Sequence, residues 1–262
     1  MHPTSRHAAR LAFLAATLVT AEAPAYSLSQ SAPGKWGDPA FGTGAVISYS
    51  LMGAGLDTGS GRTSVDFSTF MPGGFEDDIR SAFAAWSAVA NLGFVEALDP
   101  GVGAYNIGAD AVNIRISGVD YGPTDILADA FFPPSFGGSG AGDLHFNSQV
   151  DWRLNSDAGT GISVYLVAVH EIGHALGLHH PGCGSSPACP DLGPYGSDPL
   201  TSRLMSPTYN VSLIGPQRDD IAGIQHLYGP PTGAVPVPGS LVLFASTLGF
   251  LAGARRRQRL PR

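Results

Sequence analysis

Two histidines four residues apart, His170 and His174, stand in a segment that is apolar almost throughout, from Ile162 to Leu176. The segment reads as a buried helix, and Gly177 is well placed as its stop because glycine adopts the left-handed conformation cheaply. Residues i and i+4 of a helix share one face. Two imidazoles on a buried face are costly unless something satisfies them. Gly177 also lets the chain turn so that a third histidine, His180, swings back toward the pair. Neutral imidazoles at this spacing grip one zinc ion, and three protein ligands leave the fourth position open, as catalytic rather than structural sites require. Glu171, next to the first ligand, reaches the metal-bound water as a general base. His179 is off the spacing and reads as a loop residue without a metal role.

The rest of the chain suits an exported, loop-rich domain. Only 13% of residues are charged, against 35 Gly and 21 Pro, and the net charge of −7 gives no reason to expect a nucleic-acid partner. Residues 1–25 have the layout of a secretory signal: Arg6 and Arg10, the apolar stretch Leu11 to Val19, then Ala23-Pro24-Ala25 before Tyr26. Cys183 and Cys189 lie in one Gly/Ser/Pro-rich loop, and export predicts a small disulfide between them. Residues 26–230 form the expected catalytic domain, closed by Gly229-Pro230-Pro231, and residues 231–262 a linker and tail. The apolar run Leu241 to Ala254 is shorter than the ~20 residues that span a bilayer, and Arg255-Arg256-Arg257 follows it. This tail resembles the PEP-CTERM type handled by bacterial exosortases, with Val237 where that family usually has Glu. The resemblance implies a bacterial source, exosortase-like sorting machinery as a partner, and transient membrane association at the cell surface or extracellular matrix.

Periodicity predicts strands over Ala45–Leu51, Gly93–Leu98, Leu127–Phe132 and Gly142–Asn147, and a half-exposed strand over Val112–Ile116, where apolar and polar residues alternate. It predicts helices over Phe75–Asn91, with Ile79, Phe83 and Trp86 on one face, and over Asp219–Tyr228.

The eleven residues from His170 to His180 match the metzincin signature H-E-x-x-H-x-x-G-x-x-H, and Leu204-Met205-Ser206-Pro207 resembles the methionine turn of that clan. Within it the chain looks most like a matrixin, from about Lys35 to Gly229. Lys35-Trp36, Ala82 to Trp86, Leu127 to Pro133, Gly142 to Phe146 and Asp219 to Gln225 all resemble matrixin segments. The resemblance implies an α+β fold, with a twisted five-stranded mixed sheet, two long helices and a small C-terminal subdomain. It also implies that Met205 forms a floor beneath the zinc, and that Pro207 and Tyr209 form the wall of the substrate pocket. A strand edge before the site would hold a peptide in extended form.

Departures from the family narrow the metal count. Asp129 stands where a histidine ligand of a structural zinc is usual; His145 matches one ligand, but no second histidine lies upstream to complete the set. One catalytic zinc is therefore expected. Calcium stays open at Asp120, Asp125 or Asp129, with Asn147 and Val150 near positions where carboxylates are usual. The loop Pro181 to Arg203 is longer than the family's. The serralysins share His180-Pro181-Gly182, but Pro207 replaces their tyrosine and their calcium-binding repeats are missing.

The expected function is a secreted zinc endopeptidase acting on extracellular proteins. A binding-only relative of such an enzyme would have no reason to keep Glu171 beside an open metal position. A structural protein of a polysaccharide layer is suggested by the tail alone, which speaks to address rather than chemistry.

Overall fold

A computed structural model describes residues 26–29, 34–104, 112–134, 140–157, 159–181 and 203–232. The signal-like segment 1–25, Cys183 and Cys189, most of the loop after Pro181, and the tail from residue 233 lie outside the described residues.

In chain order the elements are β1 (Ser27–Leu28), β2 (Ala45–Leu51), β3 (Ser64–Val65), α1 (Phe75–Ser87), β4 (Leu92–Glu96), β5 (Ile114–Val119), β6 (Ala128–Ala130), β7 (Leu144–Asn147), β8 (Trp152–Arg153), β9 (Ile162–Ser163), α2 (Val164–Ala175), β10 (Leu178–His179) and α3 (Arg218–Tyr228). Five strands run in the order β4-β2-β5-β7-β6, and the short β3 pairs with β5 beside this path. The pairs β4–β2, β2–β5 and β5–β7 are parallel, while β6 runs antiparallel to β7 at the end of the sheet. This is the α+β arrangement that the resemblance led one to expect, a five-stranded mixed sheet with two large helices on one face.

The core lies between that face and the helices. Ile47 and Tyr49 from β2, Ile114 and Ile116 from β5, and Leu144 and Phe146 from β7 share one buried core with Ile79, Phe83 and Trp86 of α1 and with Val167, Ala168, Val169 and Ile172 of α2. Trp86 donates from Nε1 to the Val169 carbonyl at 3.0 Å and so fixes α1 on α2. A helix apolar all round has to be enclosed, and α2 is: nearly every one of its residues is buried.

Several element bounds differ from expectation. The helix expected to reach Asn91 stops at Ser87, because the chain must turn there to enter β4 at Leu92. The strand expected over Leu127–Phe132 is only Ala128–Ala130, and Leu98, expected at a strand end, is 94% exposed. The strand expected to be half exposed over Val112–Ile116 is Ile114–Val119, buried at every position. It is a central strand with polar residues on its second face, and loops cover them. Arg115 is fully buried, with Nη2 2.7 Å from Asp99 Oδ1 and its backbone N–H donating to Asp143 Oδ1 at 3.0 Å.

Candidate metal centre

Helix α2 starts at Ser163, whose Oγ accepts the Leu166 N–H at 3.3 Å as an N-cap. It ends where Gly177 takes a φ of +108°. A side chain at 177 would also strike the Gly34 carbonyl oxygen, 2.2 Å from where a Cβ would lie. The last carbonyls of α2 find partners elsewhere in the chain: Trp36 Nε1 donates to Ala175 O at 2.7 Å, and the Tyr228 hydroxyl donates to Leu176 O at 2.9 Å. The helix that carries two histidines is thus clamped by an early loop and by α3.

Beyond the glycine turn, β10 pairs with β1 and delivers His180 to the pair on α2. The three Nε2 atoms face one another: His170 to His174 at 3.1 Å, His174 to His180 at 3.0 Å, and His170 to His180 at 3.2 Å. His170 places Nδ1 2.6 Å from the Leu204 carbonyl, and His174 places Nδ1 2.8 Å from the Leu178 carbonyl. A carbonyl only accepts, so both rings carry their proton on Nδ1 and turn a bare lone pair inward. Burial lowers the pKa of all three, that of His180 to about 3, so all are neutral at neutral pH. Converging lone pairs repel unless a cation lies among them. Tetrahedral zinc with bonds near 2.0–2.1 Å sets neighbouring nitrogens about 3.3 Å apart, close to the observed triangle. The residues therefore fit the ion, and the carbonyls on Nδ1 are the outer partners that metal-binding histidines normally have. Among the described residues this trio is the only group of three or more His, Cys, Asp or Glu placed to hold a metal. Asp120, Asp125 and Asp129 form no such group; Asp129 instead accepts a hydrogen bond from His145 Nδ1 at 2.7 Å.

The trio lines a cleft of about 780 Å³. It is lined by β6 with the residues before it, by Pro207 to Asn210, and by the apolar side chains of Ile162, Leu166, Val167 and Leu213. Tyr209 is tied to the start of α2, its hydroxyl oxygen accepting the Ser163 N–H at 3.0 Å. Glu171 lines the same cleft and is 7% exposed. Burial, with Asp129 adding to it, pushes the Glu171 carboxyl up to about 8; a nearby dication acts in the opposite direction. His179 stands outside the trio, stacked on Phe132 with ring centroids 5.3 Å apart.

Met205 packs beneath α2. A Cβ on Gly173 would lie 2.4 Å from Met205 Sδ and 3.0 Å from the Trp86 ring. The turn that carries Met205 is held by a residue that sequence reasoning left without a role. Asp220, in the first turn of α3, accepts the N–H groups of Leu204 at 3.1 Å, Met205 at 3.2 Å and Gln217 at 2.8 Å. No local spacing announces that contact; the only sequence signal is an acid in a helix first turn.

Residues 66–189 match the family model described as Matrixin. This stretch of the chain is similar to a matrixin domain. Karilysin of Tannerella forsythia is 36% identical over 156 residues, covering 60% of this chain and 29% of karilysin. Human matrix metalloproteinase-16 is 36% identical over 166 residues, 58% of this chain and 23% of that protein. Horse stromelysin-1 is 40% identical over 115 residues, 42% of this chain and 19% of that protein. The chain thus spans less than a third of the length of each of these relatives. The matched stretch holds β5 to β7, all of α2 and the three histidines.

Proposed function

We propose that the chain is an exported zinc endopeptidase that cleaves proteins outside the cell. The observation that carries this reading is the triangle of Nε2 atoms, 3.0–3.2 Å on a side, in the cleft that Glu171 also lines. The similarity to the relative named matrix metalloproteinase-16 supports it.

His170, His174 and His180 would hold the zinc. Bound there, it would supply Lewis acidity and lower the pKa of water. Glu171 takes the proton of the attacking water and delivers it to the leaving amine as the C–N bond breaks. The substrate lies extended along β6, which pairs with β7 on one side only and so offers its other edge to a peptide. One substrate side chain enters the apolar depth between Leu166 and Tyr209. Pro207 and Tyr209 form its wall, and Met205 supports the metal-holding helix from below.

The signal-like segment 1–25 assigns export, and the tail assigns sorting at a bacterial cell surface or matrix by exosortase-like machinery. Incubating the chain with a denatured protein tests the enzymatic reading. Cleavage that a chelator abolishes and zinc restores is the expected result; zinc binding with no cleavage of any substrate would leave a binding protein instead.

A further inference from the structure

His170 owes its orientation to a carbonyl, and that carbonyl belongs to a short turn. Leu204 O holds His170 Nδ1, and Ser206 N–H closes the turn on Arg203 O at 3.2 Å. The turn is gripped from α3 at two adjacent positions. Asp220 takes the N–H groups of Leu204 and Met205. Asp219 takes the side chain of Arg203, with Nε 3.2 Å from Oδ2. Both partners of that ion pair are withdrawn from solvent, with side-chain exposures of 6% and 16%.

A buried ion pair is a poor device for stability alone, since a well-packed apolar pair does as well. It is a good device for fixing position, because a guanidinium offers directed donors from a planar fork. Asp220 grips the turn through two backbone donors at its middle. Asp219 grips Arg203, the residue that opens it. Together they fix where the Leu204 carbonyl lies relative to α3, and hence where it meets the imidazole.

We propose that Arg203, through its ion pair with Asp219, is a positioning residue for the metal ligand His170. This rests on the reading of the three histidines as a zinc site. The path is Asp219 to Arg203, along one residue to the Leu204 carbonyl, and across to Nδ1 of His170. Outer partners of metal ligands usually change affinity 10- to 100-fold when lost. Arg203 acts one step further out, so about tenfold is expected.

The test uses the full chain and two readouts besides activity. Zinc affinity is measured by competition with a chromophoric chelator for the wild type, Arg203→Met, Arg203→Lys and Asp219→Asn. The imidazole N–H signals of His170 and His174 are followed by NMR in the zinc-loaded forms. Arg203→Met and Asp219→Asn should each weaken zinc binding about tenfold, and Arg203→Lys less. The Nδ1 proton of His170 should exchange faster, while that of His174, bonded to Leu178 O, should not change. Affinities within twofold of wild type would overturn the role of Arg203. Equal changes at both histidines would overturn it too, since they would mean general loosening. Arg203→Lys and Asp219→Asn keep the test open if Arg203→Met does not fold. A wild type that binds no zinc would overturn the metal site itself, an outcome distinct from unchanged variants.

Discussion

Gly173 lies in the middle of the site helix between His170 and His174, and it has no room for a methyl group. In an open helix, alanine would be about 1 kcal/mol better than glycine. Here the new Cβ would meet Met205 Sδ at 2.4 Å and the Trp86 ring at 3.0 Å. The methionine can give, but the indole is held by its bond to Val169 O. Overpacking of this kind costs about 1–3 kcal/mol. Gly173→Ala should therefore lower stability in denaturant melts and weaken zinc binding; a more stable variant would contradict the packing described. The sequence makes the histidines legible because polar rings in an apolar helix demand a partner. It does not make Gly173 or Asp220 legible, because their contacts come from distant parts of the chain. Asp220 reaches a residue 16 positions away.

At the scale of elements, α2 was the easiest to read and β5 the hardest. An apolar run ended by glycine reads as a buried helix over Ile162–Leu176; the helix spans Val164–Ala175, with Ile162 and Ser163 in β9 and Leu176 as its C-cap. Alternation in β5 suggested one wet face, yet that face is buried with Arg115, Ser117 and neighbouring Asp143 on it. Whether a polar face meets water or a covering loop is decided by parts of the chain that no local period encodes. The two-residue strands β1, β3, β8, β9 and β10 were also illegible, being too short to show a period.

This buried polar layer has a pH signature. Burial pushes the Asp143 carboxyl from its ordinary 3.8 up to about 8; Arg115 opposes the shift and Asp99 adds to it. The folded state then holds the proton more tightly than the unfolded chain. The wild type should lose stability as pH rises from about 4 to about 8. Asp143→Asn, which keeps an acceptor for the Arg115 N–H, should lack that loss. Melts at pH 5 and pH 8 should show the variant gaining on the wild type; parallel curves would refute the assignment. The clamp on the end of α2 gives a second prediction. Trp36→Phe leaves the buried Ala175 carbonyl without its 2.7 Å donor, and should cost about 1–3 kcal/mol by denaturant unfolding.

Across the whole molecule, the sheet and helices serve to set an open strand edge opposite a metal-binding helix. Parallel pairing from β4 to β7 builds the base, and β6 reverses direction at the end. That leaves β6 as an edge strand whose residues line the cleft together with Pro207 to Asn210. The α+β class and the five-stranded sheet could be read from resemblance, because signature residues fix the helix, the turn and the methionine segment together. The strand order could not be derived from periodicity, since β4 precedes β5 in sequence yet lies on the opposite side of β2. No helix among the described residues is long and apolar enough to cross a membrane.

In the proposed site three neutral imidazoles hold one zinc and Glu171 moves the proton. The most direct test measures zinc content and protein cleavage in the same sample, for the wild type and Glu171→Ala. One zinc per chain is expected in both, with cleavage reduced about 10²–10⁴-fold in the variant. A wild type without zinc, or a variant that cleaves as fast as the wild type, would contradict that reading.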